Sequence, residues 1–188
     1  ILKNRKKSLR LATVFSGIGA PEQALKKLDI SYSLVFACDI DPFVKQSYFA
    51  NYSIDSKKWF DDIKNINGTK FKGKVDLFIG GSPCQSFSIV GNMRGLEDDR
   101  GNLIFEFIRL VKEMQPKMFI FENVKGLLSN NKGETWKLIE KAFSKTGYQL
   151  QHSTLNAKDF GIPQHRDRLF LIGFKNKRKF NFPQKLEL

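Results

Sequence analysis

The chain has 188 residues, enough for one domain with a full-sized core, and a formal net charge of +13 at pH 7. It has no run of about twenty apolar residues that could cross a membrane and no apolar stretch typical of a signal peptide near its N-terminus, so we expect a cytoplasmic protein. Two cysteines, Cys38 and Cys84, are predicted to be free thiols. The chain also has only two histidines, so cysteine and histidine ligands are too few to predict a metal site.

Strand-like apolar runs alternate with helical patterns along the whole chain, without a repeat or a low-complexity linker. This alternation predicts an α/β fold with a doubly wound, mostly parallel sheet, helices on both faces and an antiparallel final strand. Predicted strands lie at 10–15, 32–38, 59–60, 75–80, 117–121, 149–155 and 168–174, and predicted helices at 21–28, 41–51, 103–114 and 135–146. We expect one catalytic domain over 1–188, with its core at 8–175 and an exit segment at 176–188.

Basic residues concentrate at both ends of the chain. Residues 1–10 hold five basic and no acidic residues, and residues 175–188 hold five basic and one acidic residue. Such runs are commonly solvated tails, and the alternative is attraction to a nucleic-acid backbone. Charge alone does not separate DNA from RNA.

Two short runs carry the chemistry: Ser82-Pro83-Cys84-Gln85 and Phe121-Glu122-Asn123-Val124. Each follows a predicted buried strand, so the thiol and the carboxyl are expected at neighbouring strand ends, where open α/β sheets bind ligands. Such a pair suits attack by Cys84 on an electron-poor ring that takes up a proton from Glu122.

A glycine loop, Phe15-Ser16-Gly17-Ile18-Gly19, follows the first predicted strand and lacks the full three-glycine dinucleotide pattern. Asp39 ends the second strand, where it could accept hydrogen bonds from ribose hydroxyls, and Asp62 follows the third, where it could meet an adenine amino group. This pattern favours a nucleoside without pyrophosphate, with S-adenosylmethionine as the leading candidate. The alternative is an ordinary tight strand-to-helix turn.

Four ordered motifs resemble those of the C5-cytosine DNA methyltransferases of bacterial and phage restriction-modification systems. They are the glycine loop, Gly80-Gly81-Ser82-Pro83-Cys84-Gln85-Ser86-Phe87-Ser88, Glu122-Asn123-Val124 and Gln164-His165-Arg166-Asp167-Arg168. The resemblance implies a Rossmann-like fold that transfers a methyl group from S-adenosylmethionine to C5 of a flipped-out cytosine through a covalent Cys84–C6 adduct, leaving S-adenosylhomocysteine.

The resemblance also implies roles for individual residues. The catalytic group would be Cys84, Glu122, Arg166 and Arg168. The cofactor-binding group would be Phe15, Ser16, Gly17, Gly19, Asp39, Ile40, Asp62, Ile63, Ser82, Pro83 and Leu103. The substrate and DNA group would be Gln85, Ser88, Arg94, Arg100, Asn123 and Gln164. From the residues themselves, the stretch 86–100 beside Cys84 is predicted to be a mobile closing loop, since it has hinge glycines and Arg94 and Arg100 could meet phosphates. The alternative is a plain surface loop with an acidic patch.

Double-stranded DNA is the partner that the resemblance implies. Family members usually continue into a target recognition domain, so we expect a separate or missing C-terminal polypeptide and little sequence-specific methylation by residues 1–188 alone. The recognition sequence is not readable here. One alternative is a cytosine-5 methyltransferase that acts on RNA, such as transfer RNA. The other is a catalytically silent DNA-binding or regulatory subunit, and the presence of both Cys84 and Glu122 argues against it.

Overall fold

Seven strands form one sheet, in the order β3-β2-β1-β4-β5-β7-β6, in the computed structural model, which describes residues 8–83, 103–176 and 178–186. The strands are β1 (Leu9–Val14), β2 (Tyr32–Cys38), β3 (Trp59–Phe60), β4 (Leu77–Gly80), β5 (Met118–Val124), β6 (Gln149–Asn156) and β7 (Asp167–Phe174). The described helices are α1 (Ala20–Lys27), α2 (Pro42–Asn51), α3 (Leu103–Met114) and α4 (Glu134–Ser144).

Strands β1 to β5 pair in parallel, whereas β7 is antiparallel to both of its neighbours, β5 and β6. The doubly wound, mostly parallel class and the antiparallel final strand are therefore confirmed. The order reverses direction between β1 and β4, and this switch point is where such sheets open a crevice for ligands.

Alternate strand residues pack on opposite faces of the sheet. Phe78 and Phe119 join the main core with α3 and α4 residues such as Phe107 and Phe143. On the other face, Leu77 packs with the α1 residue Leu25 in a smaller cluster. Helices therefore cover both faces, as predicted.

Local sequence signals explain the helix starts. Asp41 caps α2 by accepting hydrogen bonds from the backbone N–H groups of Phe43 and Val44, and Pro42 occupies the first turn. A proline also lies in the first turn of α1, after Gly19 in the left-handed conformation. These signals fix where the chain leaves the sheet edge and turns back.

The largest difference from the predicted elements is the length of β5. The apolar pattern predicts an end at Phe121, but the strand continues to Val124, which pairs with Arg168. The ladder with β7 satisfies the backbone of this more polar end, so Glu122 and Asn123 lie within the strand. No helix in the described ranges is long and apolar enough to cross a membrane.

The predicted closing loop falls outside the described residues. With it lie five predicted site residues: Cys84, Gln85, Ser88, Arg94 and Arg100. The division into a core at 8–175 and an exit segment stays a prediction.

Candidate active site

Loops and strand ends with the predicted functional residues meet at one edge of the sheet. The parallel strands β1 to β5 bring their carboxyl ends there, and β7, running the other way, brings its first residues. Along this edge the order is the Asp62 turn after β3, Asp39 after β2, the glycine loop after β1, the Ser82 loop after β4, Glu122 in β5 and Arg168 in β7.

The glycine loop is tied to the end of β2 through Ser16. The Ser16 hydroxyl donates to the carbonyl of Cys38 at 3.1 Å and accepts from its N–H at 3.1 Å, and it also contacts the Thr13 hydroxyl at 2.8 Å. The preceding residue, Phe15, has φ +53°, a left-handed conformation that costs a bulky residue energy. The buried serine bonds hold the turn in this shape.

Both carboxylate oxygens of Asp39 accept backbone hydrogen bonds. Oδ2 accepts from Gly17 N at 2.9 Å and Oδ1 from Asp41 N at 3.1 Å. The Asp39 N–H in turn donates to the carbonyl of Phe60, at the end of β3. Each carboxylate oxygen has a further lone pair, so Asp39 can fix the loop and still accept from a ligand hydroxyl.

The two glycines of the loop differ in what surrounds them. A Cβ at Gly17 would meet no atom within 4 Å, whereas one at Gly19 would lie 2.4 Å from the Tyr52 ring. The Tyr52 hydroxyl donates to the carbonyl of Gly19 at 2.9 Å. The space beside Gly19 is therefore filled by the ring of Tyr52. Cofactor contacts at either glycine stay predictions.

The turn after β3 presents Asp62 between two anchored residues. The Asp62 carboxylate caps a short 3-10 turn by accepting from Lys64 N at 2.9 Å. Asp61 is held separately, accepting from Lys45 Nζ at 2.8 Å and from the Trp59 indole at 2.9 Å. The next residue, Ile63, is buried in the core, whereas Asp62 is partly exposed, so its carboxylate lies at the boundary between core and solvent.

Hydrophobic side chains flank these acids. Ile40 is 77% exposed beside Asp39, and Phe15 and Leu103 are half-buried against the main core. Two carboxylates and apolar surface suit a nucleoside with a cationic group better than a pyrophosphate. This half of the edge therefore suits a nucleoside ligand without a pyrophosphate, and the identity of that ligand stays a prediction.

Asn123 links β5 to the loop that precedes Cys84. It is 2% exposed, and its amide donates to the Ser82 carbonyl at 3.0 Å and to the Ser82 hydroxyl at 3.3 Å. Its own oxygen accepts from Val124 N. Asn123 thus fixes the Ser82-Pro83 backbone, and its predicted substrate contact stays a prediction.

Glu122 lies next to Arg168, with Oε1 2.9 Å from the Arg168 Nε. The two side chains share a face because Glu122 pairs with Phe170, two residues along β7 from Arg168. Burial raises the pKa of Glu122, and this effect exceeds the lowering by the positive charges of Arg168 and Arg166. The carboxyl therefore keeps its proton to a higher pH than an ordinary glutamate.

Gly81 packs directly against Glu122. A Cβ at position 81 would lie 2.6 Å from Oε2 and 2.8 Å from the backbone oxygen of Glu122. Only a residue without a side chain lets the β4 loop approach this carboxylate so closely.

The arginine loop before β7 is held by Asn156. Its side-chain oxygen accepts from Arg166 N and Lys158 N, and its amide donates to Asp167. The exposed Arg166 side chain is near enough to lower the Glu122 pKa, and Gln164 is also exposed. The structure thus places Arg168 in contact with Glu122 and Arg166 near enough to act on its charge, and the catalytic roles of the three stay predictions.

Cys38 lies in the core at the end of β2, and within the part of the chain that the structure describes it is a free thiol. Burial and the nearby Asp39, Asp62 and Asp61 raise the pKa of its thiol to about 12, so it is an inert core residue, as its apolar context predicts. His152 lies on the half-exposed surface of β6. Within the described residues, no group of three or more His, Cys, Asp or Glu side chains could hold a metal ion.

Sequence reasoning missed the residues that hold the site loops. Asn156 and Tyr52 gave no sequence signal that separates them from ordinary polar surface. Arg109 did give one, since Glu106, Arg109 and Glu113 follow the spacing of one helix face.

The amino-acid sequence of the chain matches one protein family. Residues 9–187 match a family model described as C-5 cytosine-specific DNA methylase. The chain is 44% identical over 167 residues to orphan methyltransferase M.SPRI of Bacillus phage SPR, covering 89% of this chain and 38% of that protein. It is 36% identical over 180 residues to type II methyltransferase M.Bsp6I of Bacillus sp. (strain RFL6), covering 93% of this chain and 56% of that protein.

Solved structures share the fold. A Dnmt2 methyltransferase of S. pombe matches with a TM-score of 0.72 at 23% identity, covering 93% of this chain and 52% of that chain. A putative DNA modification methyltransferase encoded in an E. coli prophage matches with a TM-score of 0.67 at 28% identity, covering 89% of this chain and 47% of that chain. The chain thus spans only about a third to just over half of these proteins.

Proposed function

The chain belongs to the C-5 cytosine-specific DNA methylase family, and we propose that it supplies the reactive half of an enzyme that methylates C5 of cytosine in double-stranded DNA. The observation that carries this proposal is Glu122, a carboxyl with a raised pKa, paired with Arg168 beside the loop that leads to Cys84.

The chemistry needs both a nucleophile and a proton donor. C5 of cytosine is a poor nucleophile until C6 is attacked. In the proposed reaction the Cys84 thiolate forms a bond to C6, and N3 takes a proton from Glu122, so the ring electrons move to C5. After methylation, a base removes the C5 proton, the Cys84–C6 bond breaks and N3 returns its proton to the Glu122 carboxylate, which restores the aromatic ring, the thiolate and the protonated acid.

Arg168 and Arg166 have electrostatic roles in this scheme. Only the thiolate attacks, so nearby positive charge favours the ionised form of Cys84. Arg168 also orients the Glu122 carboxyl through the 2.9 Å contact, which leaves the Oε2 side toward Gly81. The base that removes the C5 proton is not assigned.

S-adenosylmethionine, the methyl donor that methyltransferases generally use, would supply an electrophilic methyl group. Asp39 would accept hydrogen bonds from the ribose and Asp62 from the adenine amino group, with Phe15, Ile40, Ile63 and Leu103 as apolar contacts. The fixed loop of Ser16, Gly17 and Gly19, with Ser82 and Pro83, would complete this half of the site. Its support is the set of bonds that hold Gly17, Asp39 and Cys38 together.

The target base must leave the duplex, because the thiolate approaches C6 from above the ring face. Gln85, Ser88, Arg94, Arg100 and Gln164 are proposed to contact DNA. We propose that sequence readout depends on a target recognition domain beyond these residues, in the same or a separate polypeptide.

Trapping tests the proposal. The full protein, with any companion polypeptide encoded beside it, is incubated with S-adenosylmethionine and duplex DNA that carries 5-fluorocytosine. Because fluorine cannot leave C5 as a proton does, we expect a complex that resists denaturation, absent for Cys84→Ala, with DNA binding retained. Cys38→Ala is the matched thiol control and should form the complex.

Three results would overturn the proposal. They are a complex that persists in Cys84→Ala, a complex with transfer RNA but not with duplex DNA, and no complex with either substrate. The second would identify an RNA enzyme, and the third a silent regulatory subunit.

A further inference from the structure

Arg109 on α3 uses all five of its N–H donors within the protein. Nε and Nη2 donate to Glu106 Oε2 at 2.9 and 2.6 Å, and Nη1 donates to Glu113 Oε2 at 2.9 Å. The remaining donors reach backbone oxygens, with Nη1 2.9 Å from the Ile66 carbonyl and Nη2 3.1 Å from the Ile63 carbonyl. Such saturation fixes the guanidinium plane.

The segment that Arg109 contacts is the turn directly after Asp62. It runs through short 3-10 turns at Ile63–Asn65 and Gly68–Phe71, outside the strands of the sheet. The carbonyls of Ile63 and Ile66 gain charge-assisted hydrogen bonds from Arg109, which are stronger than neutral ones. Arg109 therefore sets the position of the turn that carries Asp62.

Glu113 closes the same turn from its other end. Its Oε2 accepts from Gly68 N at 2.8 Å as well as from Arg109. A Cβ at Gly68 would lie 2.8 Å from that oxygen and 3.1 Å from Leu110, so the turn and α3 are in direct contact. Two charged residues of one helix face thus hold three backbone groups between positions 63 and 68.

We propose that Arg109 is a positioning residue that determines selectivity for adenine in the cofactor, acting through the backbone of the Asp62 turn. This rests on the proposed function, in which Asp62 accepts from the adenine amino group. A site built to hydrogen-bond an amino group rejects an analogue with a carbonyl oxygen there, but only if the carboxylate is held in place.

A lysine at position 109 could not make the same set of hydrogen bonds. Its ammonium is a compact charge on a flexible stem and cannot bridge two carbonyls and two carboxylates in one plane. Arg109→Lys therefore keeps the charge while releasing the turn.

The test compares S-adenosylhomocysteine with S-inosylhomocysteine, which has an oxygen in place of the adenine amino group. Dissociation constants are measured by calorimetry on the full protein. For Arg109→Lys we expect about tenfold weaker binding of S-adenosylhomocysteine and a loss of most of the preference over the inosyl analogue. At saturating S-adenosylmethionine, kcat should change less than twofold or so, while KM for S-adenosylmethionine rises about tenfold.

Arg10→Lys is the matched control. Arg10 also donates to a backbone carbonyl, that of Gly73, and to the carboxylate of Asp76, but at the opposite edge of the sheet. It should lower the melting temperature and leave both dissociation constants unchanged. If Arg109→Lys does not fold, Glu113→Gln weakens the same bonds and should reduce the adenine preference about threefold.

Each result is decisive. If the unmodified protein binds S-adenosylhomocysteine but a folded Arg109→Lys or Glu113→Gln variant keeps its affinity and preference, the inference is wrong and the proposed function stands. The same holds if Arg10→Lys changes the preference equally. If the unmodified protein binds neither ligand, the proposed cofactor site fails and the inference with it.

Discussion

The Arg168 guanidinium lies 2.9 Å from the Glu122 carboxylate, yet the pKa of Glu122 is raised, because burial of the carboxyl outweighs the attraction of the cation. The arginine thus keeps the acid oriented without forcing it to ionise. Arg168 therefore sets the orientation of the Glu122 carboxyl, whereas partial burial determines how long it keeps its proton as the pH rises.

Arg168→Gln is expected to raise the pKa of Glu122 further. The substitution removes the positive charge that lowers this pKa and leaves the burial that raises it, so the carboxyl should hold its proton to a higher pH. A 13C NMR titration of the glutamate carboxyls measures this directly, with Glu122→Gln to assign the signal. Arg178→Gln is the control and should leave the signal unchanged, whereas a fall in the Glu122 pKa on removal of Arg168 would contradict the account.

Gly81→Ala should reduce adduct formation by at least about tenfold. The added methyl would lie 2.6 Å from the Glu122 carboxylate and 2.8 Å from its backbone oxygen, so the acid must move. Single-turnover adduct formation with 5-fluorocytosine DNA is the measurement. Gly126→Ala is the control, since a Cβ there meets no atom within 4 Å. Equal rates for both variants would show that this contact does not position the acid.

Asp39→Ala should weaken binding of S-adenosylhomocysteine by more than tenfold or so. The change removes the acceptor of Gly17 N and Asp41 N and the proposed acceptor of the ribose hydroxyls. Calorimetry on the full protein measures it.

Asp41→Ala is the control for Asp39. It removes the cap of α2, so it should cost about 1 kcal/mol of stability and leave the dissociation constant unchanged. If Asp41→Ala weakens binding as much as Asp39→Ala, the effect of Asp39 is only on loop stability.

Asp76→Asn should destabilise the fold by about 2 kcal/mol at pH 7. The Arg10 guanidinium and the Lys117 ammonium hold the pKa of the buried Asp76 carboxyl well below its usual range, despite its burial. Because the folded-state pKa is depressed, this stabilisation is complete above the unfolded pKa of about 3.9 and is lost as the pH falls below it.

Urea unfolding at several pH values checks this prediction. The difference between the unmodified protein and Asp76→Asn should shrink from pH 5 to pH 3. Asp29→Asn, at an exposed turn, should have little effect at any pH. A difference in the free energy of unfolding that grows toward low pH would contradict the prediction, because the ion pairs of Asp76 need its ionised carboxylate.

The sequence pattern predicts the elements well where hydrophobic periodicity and end signals agree. The α2 helix is confirmed from its Asp41 cap to Asn51, and α3 has the predicted bounds. The apolar pattern predicts a shorter β5 than the structure has, because the polar end of this strand is stabilised by its ladder with β7, a contact distant in sequence.

The candidate site follows the same division. The motifs predict that Glu122, Arg168 and Asp39 lie at the same edge of the sheet, and they do, since each stands next to a strand that the apolar pattern shows. Which groups hold them could not be predicted, because Asn123, Gly81 and Arg109 act through backbone atoms of loops that only the folded chain brings near.

The stretch after β7 returns along the outer edge of the sheet. Arg178 contacts the side chains of Gln149 and Gln151 at one end of β6, and Leu186 N donates to the Asp159 carbonyl beyond its other end. A reporter domain fused after residue 186 would therefore begin on the side of the molecule where the Arg166 loop lies. The Arg178 contacts lie at the start of β6, which is the edge strand of the sheet on this side. Removing these residues would delete the Arg178 contacts at the start of β6 and the attachment of Leu186 beside the Arg166 loop.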